Sequence, residues 1–219
     1  MQLVKEGGHI ASLYKNKSVA EQNSVDVAWA LLLEPRYENL RGCIYATETE
    51  CSRFRQLVVN SVMATDIMDK DLKKLRDERW DTAFSIQPDE ENGNSVTVNR
   101  NRKATIVIER LIQASDVAHT MQHWHIYRKH NENLFIEMHE AYKAGRAETN
   151  PADGWFKGEC GFFDFYIIPL ARKLKECGVF GVSSDEYLSY ALNNRKEWED
   201  RGQKIVEEMV ASLERRKGN

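Results

Sequence analysis

Apolar residues recur at every third or fourth position along much of the chain, which is the spacing of one face of an α-helix. Four segments carry such a face: Val25, Ala28, Trp29 and Leu32; Phe54, Leu57, Val58, Ser61 and Val62; Ile108, Leu111, Ile112 and Ser115; and Ile205, Met209 and Leu213. Strand-like patterns are nearly absent, and the run Val96–Val98 is short and flanked by polar residues. The pattern predicts an all-α fold of about seven or eight stacked helices.

Three helix starts carry the sequence of a capping box, in which Ser or Thr precedes Glu by three residues. These pairs are Ser18 with Glu21, Thr47 with Glu50, and Ser183 with Glu186. Each pair predicts a helix that begins directly after its Ser or Thr.

Residues 85–102 are rich in Asp, Glu, Asn and Gly and show no helical period. We expect a polar surface loop there rather than a linker, because the helices on both sides need partners for their apolar faces. A second turn is expected at Asn150–Gly154. Residues 1–219 are therefore predicted to form a single domain.

The composition of the chain argues against some classes of function. The chain has 219 residues, 42% of them hydrophobic, and a formal net charge of −3. A weakly acidic balance argues against nucleic acid as the main partner, and no apolar run is long enough to span a bilayer. The four cysteines show no CxxC spacing, which favours reduced thiols and a cytoplasmic location.

Asp116 follows the apolar run 106–112. A carboxylate near the end of a buried helix must be paired, hydrogen-bonded or bound to a metal, because an isolated buried charge is very costly. We therefore expect Asp116 to face a polar cavity. The residues alone leave two readings open, a metal ligand or a structural carboxylate bound to a neighbouring backbone or Arg group.

His119, His123 and His125 form the most histidine-dense part of the chain. On a helix, His119 and His123 would share a face, as metal-binding pairs do. The segment lacks the Glu of the HExxH motif. The competing interpretation is that these histidines lie at the surface or contact metal ligands without binding the metal themselves.

Glu159 and Phe162 are three residues apart and project from one face if a helix begins near Gly158. One interpretation is a pocket wall with a hydrogen-bond acceptor beside an aromatic ring. The other is core packing, which we expect for Phe163 and Phe165 in either case.

Several motifs together resemble the class I cyclic-nucleotide phosphodiesterase catalytic domain. They follow the family's order along nearly the whole chain: Ser18–Glu21, Val62–Asp66, Gln113–Asp116, Tyr127–Arg128, Glu159–Asp164 with Ile168–Leu170, and Asn193–Trp198. The resemblance implies a compact all-α, HD-type helical domain that hydrolyses 3′,5′-cyclic nucleotides to 5′-nucleotides with zinc and magnesium.

The resemblance also implies roles for individual residues. Asp116 matches the metal-bridging aspartate, and Glu21 matches a glutamate that orients metal-bound water. Phe162 and Leu134 match the pair that clamps the base. The family's other metal ligands and its general acid lie upstream of the matched part, so we expect an N-terminally truncated catalytic domain.

This chain departs from the family at the nucleotide site. His119 replaces an asparagine, His130 a tryptophan, and Glu159 the glutamine that reads the purine. An ionised Glu159 only accepts hydrogen bonds, so cGMP is expected to bind better than cAMP.

Two functions remain open at this point. The first is a phosphodiesterase that is incomplete as this chain, and the second is a non-catalytic helical binding module or decayed paralogue. In either case, we expect the apolar faces around Val25, Trp29 and Leu57 to lack partners, which would favour association through exposed helix faces.

Overall fold

The computed structural model describes residues 2–5, 7–85, 93–178 and 180–217. These residues are mainly helical, and none of them lies in a strand, so the all-α prediction is confirmed. The α-helices are α1 (Gln2–Lys5), α2 (His9–Leu13), α3 (Val19–Leu32), α4 (Glu38–Ile44), α5 (Glu48–Ala64), α6 (Lys70–Ser85), α7 (Gly93–Asp116), α8 (Trp124–Lys143), α9 (Trp155–Phe162), α10 (Ile168–Glu176) and α11 (Ser184–Lys217).

The chain divides into two compact units, residues 1–116 and residues 117–219. The prediction of one domain over residues 1–219 stays a prediction, and each unit is described separately. None of the helices in the described residues has the length and apolar character needed to cross a bilayer.

The first unit is built on α5, which packs against both α3 and α7, while α6 packs against α7. Its core includes Val25, Ala64, Trp80 and Ile106, each less than a tenth exposed. The expectation that Val25 would lack a partner is therefore wrong.

A contact between two aromatic rings of the first unit explains why the apolar face of α3 has a partner. Trp29 lies 6.2 Å from Phe54, measured between ring centroids, so the apolar face of α3 packs on α5. The large apolar side chains that α3 does expose lie on a different face, at Val27 and Leu31.

The capping predictions have different outcomes. Thr47 caps α5 as predicted, since its Oγ accepts from the Glu50 amide and the Glu50 carboxylate accepts from the Thr47 amide. Ser18 precedes α3 but makes no capping bond with its side chain. Its hydroxyl donates instead to Asp66 Oδ2 at 2.7 Å, which anchors the start of α3 to the turn after α5.

The prediction of a loop at residues 85–102 is wrong for residues 93–102. Ser85 is the last residue of α6, and residues 86–92 lie outside the described residues. Helix α7 begins at Gly93, so residues 93–102 are helical. Extending a helix adds one hydrogen bond for each residue that is fixed, and the packed segment that follows supplies the costly nucleus.

Buried polar side chains fix the turn after α5. Arg76 donates to the carbonyl oxygens of Met63 and Asp66, both at 3.1 Å. Gln113, only 1% exposed, donates to the carbonyl oxygen of Ala64 at 3.0 Å. These bonds satisfy backbone carbonyls at the end of α5, which lack partners within the helix. They also hold the last turns of α7 beside that turn.

The second unit surrounds the long helix α11, which packs against α8, α9 and α10. Tyr127, Phe135, Phe163 and Trp198 are fully buried and form its aromatic core. Between α9 and α10 the backbone forms one π-helical segment at Phe163–Ile167. Phe165 within that segment is 76% exposed, so the expectation that it packs in the core is wrong.

Candidate functional site

Glu159 on α9 lies against the buried core of the second unit. Its Oε2 accepts a hydrogen bond from the hydroxyl of Tyr127, which is on α8 and 1% exposed. Two sequence-distant helices are thus joined through the carboxylate that the sequence singled out.

Three further hydrogen bonds determine which way the Tyr127 proton points. Trp198 Nε1 donates to Tyr127 Oη at 2.6 Å, and Asn131 Nδ2 donates to the same oxygen at 3.2 Å. Trp155 Nε1 donates to Asn131 Oδ1 at 3.0 Å, which fixes the orientation of that amide.

An indole N–H is a donor only. Because the two tryptophans can only donate, Tyr127 Oη is an acceptor from both Trp198 and Asn131, and its own proton is directed to Glu159. The network therefore holds Glu159 Oε2 as an acceptor.

The same surroundings change the acidity of the pair. Burial raises the pKa of Glu159 to about 6, although the hydrogen bond from Tyr127 acts in the opposite direction. Burial, followed by the neighbouring Glu159 charge, raises the pKa of Tyr127 well above its usual value. Tyr127 is thus a permanent proton donor at ordinary pH, while Glu159 changes charge slightly below neutrality.

The other predicted nucleotide-binding residues lie around this pair to different extents. His119 is half-buried, and its ring lies nearly parallel to that of Tyr127 with 6.3 Å between centroids. Phe162 follows Glu159 by one helical turn on α9, and its half-buried ring stacks on Tyr166. Leu134 is 46% exposed, two turns after Tyr127 on α8.

Glu21 lies elsewhere, in the first unit. It lines a cavity of about 260 Å³ together with Ser18, Asp66 and Asp69. One oxygen of each aspartate accepts hydrogen bonds from nearby backbone amides. Asp66 Oδ1 accepts from the amides of Met68 and Asp69. Asp69 Oδ1 accepts from the amides of Asp71 and Leu72. Two of the carboxylates that line the cavity, Asp66 and Asp69, are thus fixed in place.

Asp116 is the last residue of α7 and its side chain is exposed. The prediction that the Asp116 carboxylate is buried is therefore wrong. The apolar face of α7 ends before it, with Gln113 and Ala114 buried and Ser115 already exposed.

His119 and His123 do not share a helix face. His119 lies in the 3₁₀ turn Ala118–Met121, and His123 precedes α8 as its N-cap residue. The His123 ring instead contacts Tyr190, with 3.0 Å between Nε2 and the hydroxyl oxygen.

The residues that hold Glu159 were not predicted as site residues. Tyr127 and Asn131 are four apart on α8, a spacing that places both on one helix face. The four-residue spacing therefore predicts that these two polar side chains lie together on one face of α8. Trp198 is 71 positions from Tyr127, and a contact at that separation follows only from the tertiary fold.

The chain belongs to the 3′5′-cyclic nucleotide phosphodiesterase family, whose sequence model matches residues 2–179. Its curated relatives include two proteins of Caenorhabditis elegans. The probable 3′,5′-cyclic phosphodiesterase pde-3 is 21% identical over 202 residues, covering 87% of this chain and 28% of that protein. The probable 3′,5′-cyclic-AMP phosphodiesterase pde-4 is 24% identical over 180 residues, covering 77% and 25%.

Solved structures show the same fold. Two structures of the phosphodiesterase domain of the rhodopsin phosphodiesterase of the choanoflagellate Salpingoeca rosetta match with TM-scores of 0.66 and 0.64, each at 19% identity. They cover 95% and 97% of this chain, and the chain spans 63% of each of them. The chain thus spans about a quarter of its curated relatives and less than two thirds of these solved domains.

This family uses divalent metals, and a stable zinc site needs at least three protein ligands. Within the described part of the chain, no three His, Cys, Asp or Glu side chains are close enough together to hold an ion. The described residues therefore do not by themselves form a metal site, and the resemblance assigns only Asp116 to the family's site.

Proposed function

We propose that this chain forms the nucleotide-binding part of a 3′,5′-cyclic-nucleotide phosphodiesterase catalytic domain and prefers guanine to adenine. The observation that carries the proposal is the hydrogen bond from Tyr127 to Glu159. It holds an acceptor at the position where the family resemblance expects the base-reading side chain.

The preference follows from hydrogen-bond polarity. Glu159 Oε2 already accepts from Tyr127, but an ionised carboxylate has about four acceptor positions. Guanine offers two adjacent donors, N1–H and the 2-amino group, which a carboxylate can accept together. Adenine offers one donor beside an acceptor nitrogen, which the carboxylate would repel. By analogy with bidentate base contacts, the discrimination is about 1–3 kcal/mol.

Phe162 and Leu134 are proposed to clamp the base between them. Phe162 lies one turn after Glu159 on α9, and Leu134 is exposed on the same face of α8 as Tyr127. His119 is proposed to contact the nucleotide beside Tyr127, since its ring lies over the tyrosine ring. This arrangement would let apolar and aromatic side chains enclose the base while one polar group reads its edge.

The complete domain is proposed to hydrolyse the 3′,5′-cyclic phosphate to a 5′-nucleotide. Asp116 as a metal ligand and Glu21 as a water-orienting carboxylate remain part of this proposal. Ligands beyond those in the described residues are needed for zinc and magnesium. The competing function is a non-catalytic helical module, and stoichiometric zinc in the purified chain would favour the enzyme over that module.

Affinities for cGMP and cAMP test the base preference directly. We would measure both by calorimetry on the chain, on Glu159→Gln and on Glu140→Gln. Glu140 is exposed on α8 and serves as the matched control for the loss of one negative charge.

The chain and the Glu140→Gln control should bind cGMP about 5- to 150-fold more tightly than cAMP, the ratio that corresponds to 1–3 kcal/mol. Glu159→Gln should lose most of this preference. Equal affinities, or tighter binding of cAMP by the unaltered chain, would refute the guanine preference.

A further inference from the structure

A groove of about 330 Å³ lies between α5 and α7 in the first unit. It is lined by Arg53, Gln56, Leu57 and Asn60 of α5, and by Asn101, Arg102 and Thr105 of α7. The four α5 residues follow the i, i+3, i+4, i+7 spacing of one helix face. Helices α5 and α7 pack directly against each other, so the floor of the groove is fixed by core contacts.

The register between the two helices places the arginines opposite each other. Gln113 of α7 donates to the carbonyl of Ala64 at the end of α5. Arg102 lies eleven residues before Gln113 on α7, and Arg53 lies eleven residues before Ala64 on α5. Because both arginines line the groove, the two helices run parallel there. The two arginine residues therefore lie at the same level of one groove.

Their positive charges have no partner carboxylate within the groove. Among the described residues, neither Arg53 nor Arg102 is part of an ion pair, and no Asp or Glu lines the groove. The carboxylate one turn before Arg53, Glu50, accepts from the amides of Ala46 and Thr47, and its charge also interacts with Arg53. Like charges held close together repel each other and attract an anion.

The neighbouring polar side chains supply hydrogen-bond donors as well as acceptors. Gln56 Nε2 donates to Asn60 Oδ1 at 2.8 Å, which leaves the amide N–H groups of Asn60 available. On the α7 side, the side-chain amide of Asn101 adds a further polar group, and the hydroxyl of Thr105 donates to the carbonyl oxygen of Asn101. By contrast, the cavity beside Glu21 contains two more carboxylates, Asp66 and Asp69. The charged side chains that line the groove are thus positive, although the chain as a whole is weakly acidic.

We propose that the groove between α5 and α7 is a binding site for a phosphate group, held by Arg53 and Arg102. Arginine presents paired N–H donors that match phosphate oxygens, and the amide of Asn60 supplies a further donor. The ligand class is a phosphomonoester, either on a soluble molecule or on a lipid headgroup. The groove belongs to the first unit and Glu159 to the second, and this proposal does not depend on the proposed cyclic-nucleotide function.

The test is a titration of the full chain with inorganic phosphate, followed by the Nε–H signals of arginine in ¹H–¹⁵N spectra at constant ionic strength. The key variant is Arg53→Gln with Arg102→Gln. The matched control is Arg55→Gln with Lys103→Gln, which removes the same charge from the same two helices outside the groove lining. Circular dichroism melting confirms that each variant is folded.

Saturable shifts of the Arg53 and Arg102 signals are expected. The groove variant should weaken the binding by about tenfold or more, as expected for the loss of charge-assisted hydrogen bonds, and the control should leave it within about twofold. Arg53→Lys should weaken binding to an intermediate degree, because a lysine keeps the charge without the paired donors. Linear shifts, or equal weakening in both double variants, would overturn the proposal, because either result reports general charge screening.

Vesicles distinguish the two sources of phosphate. Co-sedimentation would compare phosphatidylcholine vesicles with vesicles that also contain phosphatidic acid, whose headgroup is a phosphomonoester. Saturable phosphate binding together with retention on phosphatidic acid supports a lipid ligand, and phosphate binding without retention supports a soluble one. Retention that persists in the groove variant would overturn the proposal, since it would assign the lipid contact to another surface.

Discussion

Glu159 is the residue whose surroundings conflict most clearly with its charge. Burial raises the pKa of its carboxyl to about 6, from an ordinary value of 4.5. The unfolded chain therefore ionises at lower pH than the folded chain does. Below about pH 4.5 both states hold the proton. As pH rises through 6, the folded state loses stability by about 2 kcal/mol, since one pKa unit corresponds to about 1.4 kcal/mol.

Glu159→Gln should remove this loss. Its free energy of unfolding, measured by urea denaturation relative to the unaltered chain, should increase by about 2 kcal/mol between pH 4.5 and pH 7.5. The glutamine carbonyl can still accept from Tyr127, so the network is retained. A constant difference across that range would contradict the burial of an ionisable Glu159, and so would the same pH dependence in Glu140→Gln.

The sequence identified Glu159 but not the groups that control it. Its three-residue spacing from Phe162 is a local signal, and the family motif spans both residues. Tyr127, Trp155 and Trp198 act through contacts across 24 to 71 positions. Such contacts depend on how α8, α9 and α11 pack, which a local pattern does not contain.

Among the helices, the packing of α9 on α11 depends on one glycine. A Cβ built on Gly202 would overlap with Trp198 Cε3 and would lie 2.8 Å from Phe156 Cδ2. The Trp198 ring is 1% exposed and donates to Tyr127, so it has little freedom to move aside.

Gly202→Ala should therefore destabilise the chain by about 1–3 kcal/mol, the usual cost of overpacking, despite the higher helix propensity of alanine. Gly158→Ala on α9 is the matched control, because a Cβ there meets nothing within 4 Å. That control should be neutral or more stable by up to about 1 kcal/mol. Thermal unfolding of both variants checks the prediction, and equal melting temperatures would contradict the packing described.

A second interaction between helices, α6 with α7, is ionic. Glu109 on α7 has a side chain that is 4% exposed, and it lies 3.0 Å from Arg79 on α6. Burial raises the pKa of Glu109, and the charges of Arg79, Arg110 and Arg76 act against that rise.

Glu109→Ala should cost about 1–3 kcal/mol, because it removes the charged hydrogen-bond partner of the half-exposed Arg79 and a negative charge beside the buried Arg76 and Arg110. Glu109→Gln keeps the shape and should cost less. Urea denaturation of both variants provides the measurement. A loss below about 1 kcal/mol for the alanine variant, the range of an exposed ion pair, would show that these charges are not buried together.

Helix existence was easier to predict than helix ends. The apolar faces identified α3, α5, α7 and α11, and the Thr47 box located the start of α5. The Ser18 box failed because the hydroxyl has a tertiary partner in Asp66. Helix α7 begins earlier than expected, because propagation from a packed helix tolerates polar residues that would not nucleate one.

At the scale of the whole molecule, the predicted site residues fall into two units. Glu21 and Asp116 belong to residues 1–116, and the Glu159 network belongs to residues 117–219. The first group is proposed to serve catalysis and the second to bind the base. These roles make separate predictions, because base binding needs only the second group.

The 219-residue chain should not hydrolyse cGMP or cAMP at an enzymatic rate, even with added zinc and magnesium. Asp116 is the one metal ligand that the resemblance assigns to it, and at least three are needed for a stable zinc site. The measurement is release of 5′-nucleotide by the purified chain and by Asp116→Ala. Metal-dependent turnover that disappears in Asp116→Ala would prove the prediction wrong.

We propose that a cyclic nucleotide is read by the Glu159 carboxylate, which is held by Tyr127. The Trp198 indole N–H donates to Tyr127 and reports on this network, whereas Trp29 lies in the other unit beside Phe54. A titration of the ¹⁵N-labelled chain with cGMP and cAMP at pH 7.5 tests this, with the indole signals assigned by Trp198→Phe and Trp29→Phe. A saturable shift of the Trp198 signal is expected at lower concentrations of cGMP than of cAMP, with Trp29 unchanged. No shift of Trp198, or the same response to both nucleotides, would contradict it.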